Sequence, residues 1–465
     1  MLDRYFRLKE HGTDVRTEVF AGITTFVTMS YILFVNPNLL SIGAGIVGED
    51  PVKVSNGVFF ATCIASFIGT VLMALYARVP FAQAPGMGLN AFFAFTVMAG
   101  YGYAYNQALG LVFISGLLFI VITVTGLRAT IVRCIPGNIK IAISAGIGLF
   151  LAFLGLQNAG LVIGNPDTLV SLVNFSSIGN ADTHAAVMAA ILTVMGLIII
   201  AALSTLKVKG AILIGILAAT VLGIPMGVTV LPASMDFSFA GKFADFTEVS
   251  FLTFAEGLRS MFANQSFAQS LFTLIAIVIS FSLVDMFDTI GTLLGTAKQA
   301  GMLRKDGTMD RMNEALLCDA IATTTGAMLG TSTVTTYVES AAGIGEGGRS
   351  GLTSLVTALL FLAAIILAPV VGIVPAAATA PALIFVGCLM ISSIKDLEWG
   401  DMSESIPAFL TIAMMPLTYS IANGIAFGLI SYVLIKLCSG RVKQIHPLCA
   451  GLAVLFIVRF FVMGM

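Results

Sequence analysis

Charge is scarce in this chain. Of its 465 residues, 10% are Asp, Glu, Lys or Arg, where a soluble globular protein has about 25%. With 58% of residues hydrophobic, the apolar excess is too large for one buried core. Many segments reach the ~20 apolar residues that cross a bilayer, so the chain reads as a polytopic membrane protein. Histidine is nearly missing: His11, His184 and His446 lie outside or at the edges of the apolar runs, which argues against a histidine proton relay. The six cysteines (Cys63, Cys134, Cys318, Cys388, Cys438, Cys449) form no CxxC and have no His at metal spacing. They read as small buried hydrophobes. No basic patch with interleaved aromatics is present, and the net charge is −1, so a nucleic-acid partner is not expected. MLDRYFRLKEHGTDVRTEV is polar and mixed in charge, unlike a cleavable signal peptide. No nucleophile–base pair, metal set or phosphate loop is visible, which leaves a membrane enzyme the weakest reading.

What is present, against that background, is four acids in apolar surroundings: Asp285 and Asp288 in SFSLVDMFDTIGTLLG, Asp319 in ALLCDAIATTTG and Glu339 in TSTVTTYVESAAG. A charge at the bilayer centre costs several kcal/mol, so an intramembrane acid marks a functional site by default. No His or Lys in the same runs neutralises them.

Apolar runs fall near 19–40, 56–77, 87–99, 108–127, 139–160, 186–204, 210–230, 271–295, 314–330, 337–346, 352–369, 375–394, 405–420 and 423–438. Those near 87–99 and 337–346 are too short for a full helical crossing, and 446–463, with Arg459, reads as interfacial or packed on the outside. With the N-terminus placed in the cytoplasm, 19 Lys and Arg fall in inside loops and three (Lys53, Lys242, Arg259) outside. That asymmetry fits the positive-inside rule with both termini inside.

An offset of 257 residues lays FVTMSYIL on SLVDMFDTI and IASFIGTVL on IATTTGAML. A further alignment, dropping eight residues from the second copy, lays APGMGLNAFF on TVTTYVESAA and sets Asn90 opposite Glu339. Seven spans separate equivalent points, so the second copy is inverted. The expected fold is an all-α membrane protein with 14 transmembrane segments in a 7+7 inverted repeat and two short broken segments, strand plus half-helix, at the midplane. Secondary transporters place substrate sites at such discontinuous helices. The chain then divides into an N-terminal 1–18, a first repeat 19–230, an extracytoplasmic linker 231–270, a second repeat 271–438 and a tail 439–465.

The broken segments supply the chemistry. Pro85, Gly86 and Gly88 interrupt a membrane helix, and such backbone is tolerated only against protein or a wet cavity. TSTVTTYV, including Thr336, reads as a short extended stretch leading into a half-helix whose N-terminus adds partial positive charge. Asn90 offers donors and an acceptor to a heterocycle edge, and Glu339 accepts ring N–H groups or, protonated, donates. Asp288 lies one helical turn from Asp285, and a proton shared between them would supply coupling without histidine. Phe92 and Phe93 are candidates for ring stacking, against simple packing. Thr28 and Tyr31 occupy the repeat positions opposite Asp285 and Asp288. Asp319 reads as structural, paired with Ser or Thr hydroxyls of neighbouring spans.

LKEHGTDVRTEVFAGITTFVTMSYILFVNP, APGMGLNAFFAF, FDTIGTL, TTYVESAAGIGEGGRSGLT and PAFLTIAMMP resemble the adenine/guanine/hypoxanthine permease (AzgA-like) group of the nucleobase–cation symporter-2 (xanthine/uracil permease) family, over nearly the whole chain. The resemblance implies a proton-coupled importer of purine nucleobases in the bacterial inner membrane, with no cofactor beyond the coupling proton. It also implies a core domain (about 19–127 and 271–369), a gate domain (about 139–230 and 375–438) and a homodimer. Asp288 and Glu339 match binding or coupling positions, and Asn90 and Thr28 are implicated with them. A transporter of uracil, xanthine or an anion, and a channel, remain the alternatives.

Overall fold

The computed structural model describes residues 5–125, 135–231, 239–261, 275, 277–279, 281–282, 284–286, 289, 292–293, 297, 309, 311–368 and 373–462. Asp288 lies outside the described residues.

Helix starts follow the sequence closely. Asp14 caps α1 (Val15–Met29) through the Thr17 amide. Ser30 and Tyr31 then interrupt the rod before α2 (Ile32–Ile46). Asp50 accepts from the amides of Val52 and Lys53 at the head of α3 (Pro51–Leu72), with Pro51 at its first position. That proline gives up an N–H that a helix terminus could not bond internally. After β1 (Gln83–Pro85) comes the short α4 (Met87–Ala91), continuing as π-helix over Phe92–Gly100. Then come α5 (Tyr105–Val124), α6 (Gly137–Asn158), the β2 (Val162–Asn165) and β3 (Leu169–Leu172) hairpin, α7 (Ala181–Thr205) and α8 (Ala211–Gly223). The expected linker contains two helices, α9 (Phe239–Asp245) and α10 (Phe254–Met261).

The second half runs through described helical residues between 275 and 297 to α11 (Met312–Leu329), β4 (Val334–Thr336), α12 (Ser340–Gly345) and α13 (Gly351–Ala363). It ends with α14 (Ala376–Ile391), α15 (Met402–Leu417), α16 (Ile421–Cys438) and α17 (Pro447–Val462). Among the described residues seven helices are long and apolar enough to cross a membrane, and Met87–Gly100, Ala211–Gly223, Gly351–Leu367, Met402–Leu417 and Pro447–Phe461 are shorter apolar helices. Large apolar side chains such as Ile198, Val221, Ile366 and Leu417 stand exposed, which suits a lipid-facing surface.

The helices sort into two packing groups. One joins α1, α2, α3, α5, α11, α12 and α13; the other joins α6, α7, α8, α14, α15 and α16. Contacts between the groups run through α4 against α6, α8 against α1 and α14 against α2. Small residues set the closest approaches. A Cβ added at Gly343 would lie 2.1 Å from the Thr25 hydroxyl and 2.5 Å from the Ala21 carbonyl, so α12 rests directly on the backbone of α1. The segment carrying Arg459 is α17, packed on α16. There Arg459 is buried and its guanidinium bonds the Tyr101 hydroxyl.

Candidate functional site

The two Pro/Gly- and Thr-rich segments meet. β1 and β4 form an antiparallel pair in the register Gln83↔Thr336, Ala84↔Thr335, Pro85↔Val334. All six residues are buried. The ladder extends beyond the strands: the Gly86 amide donates to the Thr333 carbonyl (3.0 Å) and the Tyr337 amide to the Ala82 carbonyl (3.0 Å). At one end the Tyr337 hydroxyl donates to the Pro85 carbonyl at 2.5 Å, and at the other the Ala82 amide donates to the Ser340 hydroxyl at 3.0 Å. Backbone groups that a membrane helix would satisfy internally are thus satisfied across two segments about 250 residues apart. That is the condition for irregular backbone in an apolar interior.

The acids divide around this pair. Asp319, completely buried on α11, accepts from Gln83 Nε2 at 3.1 Å and from the Thr289 hydroxyl at 2.8 Å. Thr289 also lies 2.7 Å from the Thr335 hydroxyl, and Gln83 Nε2 reaches Thr336 Oγ1 at 3.3 Å. This network pins both strands from behind. Asp285 is buried as well and accepts from the Thr323 hydroxyl at 3.3 Å. Thr323 itself is closer to the Val334 carbonyl, at 2.9 Å.

Glu339 stands apart from both. It occupies the N-cap position of α12 and is partly exposed, beside the 57%-exposed Val338. Its Oε1 accepts from the Tyr31 hydroxyl at 2.6 Å. Tyr31 comes from the interruption in the first span, so the contact joins positions 308 residues apart.

The other expected residues take varied places. Asn90 is fully buried on α4, where its Oδ1 accepts from the Ser332 hydroxyl. Thr28 is half-buried and bonds back to the Thr24 and Thr25 carbonyls of its own helix. Tyr31, three residues on, makes the cross-chain contact instead. Phe92 and Phe93 are completely buried, edge-on to Phe281 (4.6 Å) and Tyr105 (5.9 Å), so packing accounts for both rings in this conformation. Gly88 faces α6: a Cβ there would lie 2.7 Å from Ile147 Cγ2, which makes it a contact between the two packing groups. Gln83, Thr289, Thr323 and Ser332 escaped the sequence reading. Only Gln83, a lone amide in an apolar stretch before Pro85, carried a signal that could have singled it out. Among the described residues no group of three or more His, Cys, Asp or Glu could hold a metal.

A family model described as "Permease family" matches residues 16–427. Among curated proteins, the adenine permease AdeP of Escherichia coli (strain K12) is 40% identical over 459 residues, covering 99% of this chain and 96% of that one. The guanine/hypoxanthine permease PbuG of Bacillus subtilis (strain 168) is 41% identical over 457 residues, covering 98% of each. Among solved structures, the transmembrane domain of the cyanobacterial bicarbonate transporter BicA superposes with a TM-score of 0.58 at 17% identity, over 89% of this chain and 97% of that one. At that identity the likeness speaks for the fold alone. The chain belongs to the permease family, and is a multi-pass membrane transporter rather than an enzyme.

Proposed function

We propose that this protein is a proton-coupled symporter that imports purine nucleobases across the bacterial plasma membrane. The observation that carries this reading is the paired β1/β4 stretch with Glu339 at its accessible edge. A planar, polar, uncharged ligand needs a few fixed hydrogen-bonding groups in an otherwise apolar wall. The broken segments offer these from both halves of the chain. Relatives about 40% identical along nearly their whole length are named for adenine, guanine and hypoxanthine, which supports that substrate class. In this reading Glu339 takes the N–H edge of the base, with Asn90, Thr336, Gly88 and Thr28 around it. Asp288, Asp285 and Glu339 are the groups through which a proton is coupled.

The reading includes fourteen spans in a 7+7 inverted repeat, with the two packing groups as the core and gate domains of an elevator-like cycle. Protonation and purine binding occur on the outside. The core group then moves against the gate group, and both ligands leave on the inside. The distribution of Lys and Arg supports cytoplasmic termini, and the protein is proposed to work as a homodimer.

Purified protein in proteoliposomes tests this. Labelled hypoxanthine should accumulate above its external concentration when an inward proton gradient is imposed, and a protonophore should abolish the accumulation. Equilibration without accumulation would point to a channel. Competition by adenine, guanine, xanthine and uracil would define the preferred base.

A further inference from the structure

We propose that Tyr31 is a positioning and specificity-determining residue of the nucleobase site, because its hydroxyl holds one oxygen of Glu339 and leaves the other to meet the ligand. The proposal rests on the transport reading above and adds a group to it. Tyr31 is 1% exposed, so its ring is fixed by packing while its hydroxyl reaches Glu339 Oε1 at 2.6 Å. Among the described residues no other side chain hydrogen-bonds Glu339. The tyrosine sits where the first span breaks between α1 and α2. It is also the position that the 257-residue offset sets opposite Asp288. The geometry thus sets Tyr31 beside Glu339, and the sequence offset marks the same position.

The consequence is chemical. A carboxylate with both oxygens open can accept two parallel N–H donors from one ligand edge. A carboxylate oxygen carries two lone pairs, so Oε1 can still accept, but with one pair given to Tyr31 it is the weaker acceptor and Oε2 the stronger. Guanine presents two adjacent donors, the ring N1–H and the exocyclic amine, and hypoxanthine presents the ring N–H alone. One strong and one weakened acceptor favour guanine less at this edge than two equal acceptors would. Tyr31 thus levels the site between them. A phenol is also both donor and acceptor, so it can donate to the carboxylate and accept from the protonated acid without moving its ring.

The test is calorimetric binding of guanine and hypoxanthine to the purified full-length protein, wild type against Tyr31→Phe. The variant keeps the ring and removes the hydroxyl. Hypoxanthine affinity should fall by up to about 10-fold, because Glu339 is no longer held in place before the ligand arrives. Guanine affinity should hold or fall less, so that the guanine-to-hypoxanthine ratio rises, by up to about 10-fold. A role in folding alone would lower both affinities together and leave the ratio in place. If the Phe variant does not fold, Tyr31→His carries the test: its shorter ring falls short of Glu339, so its ratio should rise as well. An unchanged ratio in the folded variant overturns the assignment of Tyr31 while leaving the transport reading intact. Wild-type protein that binds no purine overturns the transport reading itself, and this proposal with it.

Discussion

The two broken segments pair strand to strand, yet the chain leaves the two strands in different ways. After β1 it runs through α4 and a π-helix whose residues Met87–Met98 are all buried, with Phe92 and Phe93 locked against other rings. After β4 it makes a six-residue helix led by Val338 and Glu339, both reachable from outside the protein. The polar side chain of the first segment, Asn90, is engaged by Ser332 of the second, and the acid of the second is engaged by Tyr31 of the first span. Two paired segments therefore need not share their chemistry. The first segment supplies wall and register, and the second supplies the reachable charge.

If that division holds, Glu339 is the position whose loss costs most. Glu339→Gln keeps the shape and removes a charged acceptor, and should weaken purine binding about 100-fold by titration calorimetry. Asn90→Ala should cost about 10-fold or less, because part of what it removes is the bond to Ser332. Equal losses at the two positions would erase the contrast between the segments.

The network behind the strands gives the next effect, on stability rather than ligand contact. Asp319→Ala strips the acceptor from Gln83 Nε2 and the Thr289 hydroxyl inside a fully buried site. Leaving two buried donors without an acceptor costs about 3 kcal/mol, read as a lower melting temperature in detergent. Asp319→Asn, which keeps an acceptor oxygen, should lose less. A variant in which Asp319→Ala melts like wild type would show that the strand pair is held without it.

How much of this was legible beforehand depends on how local each interaction is. Helix starts were legible in part, since Asp50–Pro51 and Asp14 act on amides two or three residues away, although the apolar runs alone open late, at 19 and 56. The broken segments were too, because Pro85, Gly86 and the β-branched run 333–336 oppose a regular helix within their own few residues. Tyr31 on Glu339 was not, being a contact across 308 positions that exists only once both halves fold. Threonines were the least legible. Thr324 bonds the carbonyl four residues back in its own helix, whereas Thr289, in the same kind of apolar run, bonds an acid on another helix. Nothing in the residue type separates the two cases. Phe92 and Phe93 were open for a similar reason, since an aromatic ring suits a ligand wall and a core equally.

A smaller effect is expected where the two packing groups touch at their rim. Lys209, between α7 and α8, pairs with Glu346 just beyond α12, and the neighbouring Gly210 would bring a Cβ to 2.5 Å from Val27 Cγ1. Both charges are partly exposed, so the pair is worth at most about 1 kcal/mol, or roughly fivefold in a conformational equilibrium. Lys209→Glu should change the uptake rate by up to about that factor and leave the guanine dissociation constant unchanged. The exchange Lys209→Glu with Glu346→Lys should restore the rate, and added salt should shrink the difference. A change in affinity rather than rate would place this pair in the binding site and remove it from the interface between groups.

The smallest effect belongs to a second partly exposed acid ahead of a helix, in a setting unlike that of Glu339. Asp401, ahead of α15, accepts from the amide and then the hydroxyl of Ser403 and pairs with Arg441, and these contacts lower its pKa to about 2. An unfolded aspartate titrates near 3.9. The folded state therefore holds the proton less tightly, and the stabilisation is complete above about pH 4. It fades as the pH falls toward 2. Asp401→Asn keeps a capping oxygen but loses the charge, so its melting temperature should lie slightly below wild type at pH 7. The two should converge on acidification through that window. A gap that persists unchanged at the acid end would assign the difference to the shape of the cap rather than to its charge.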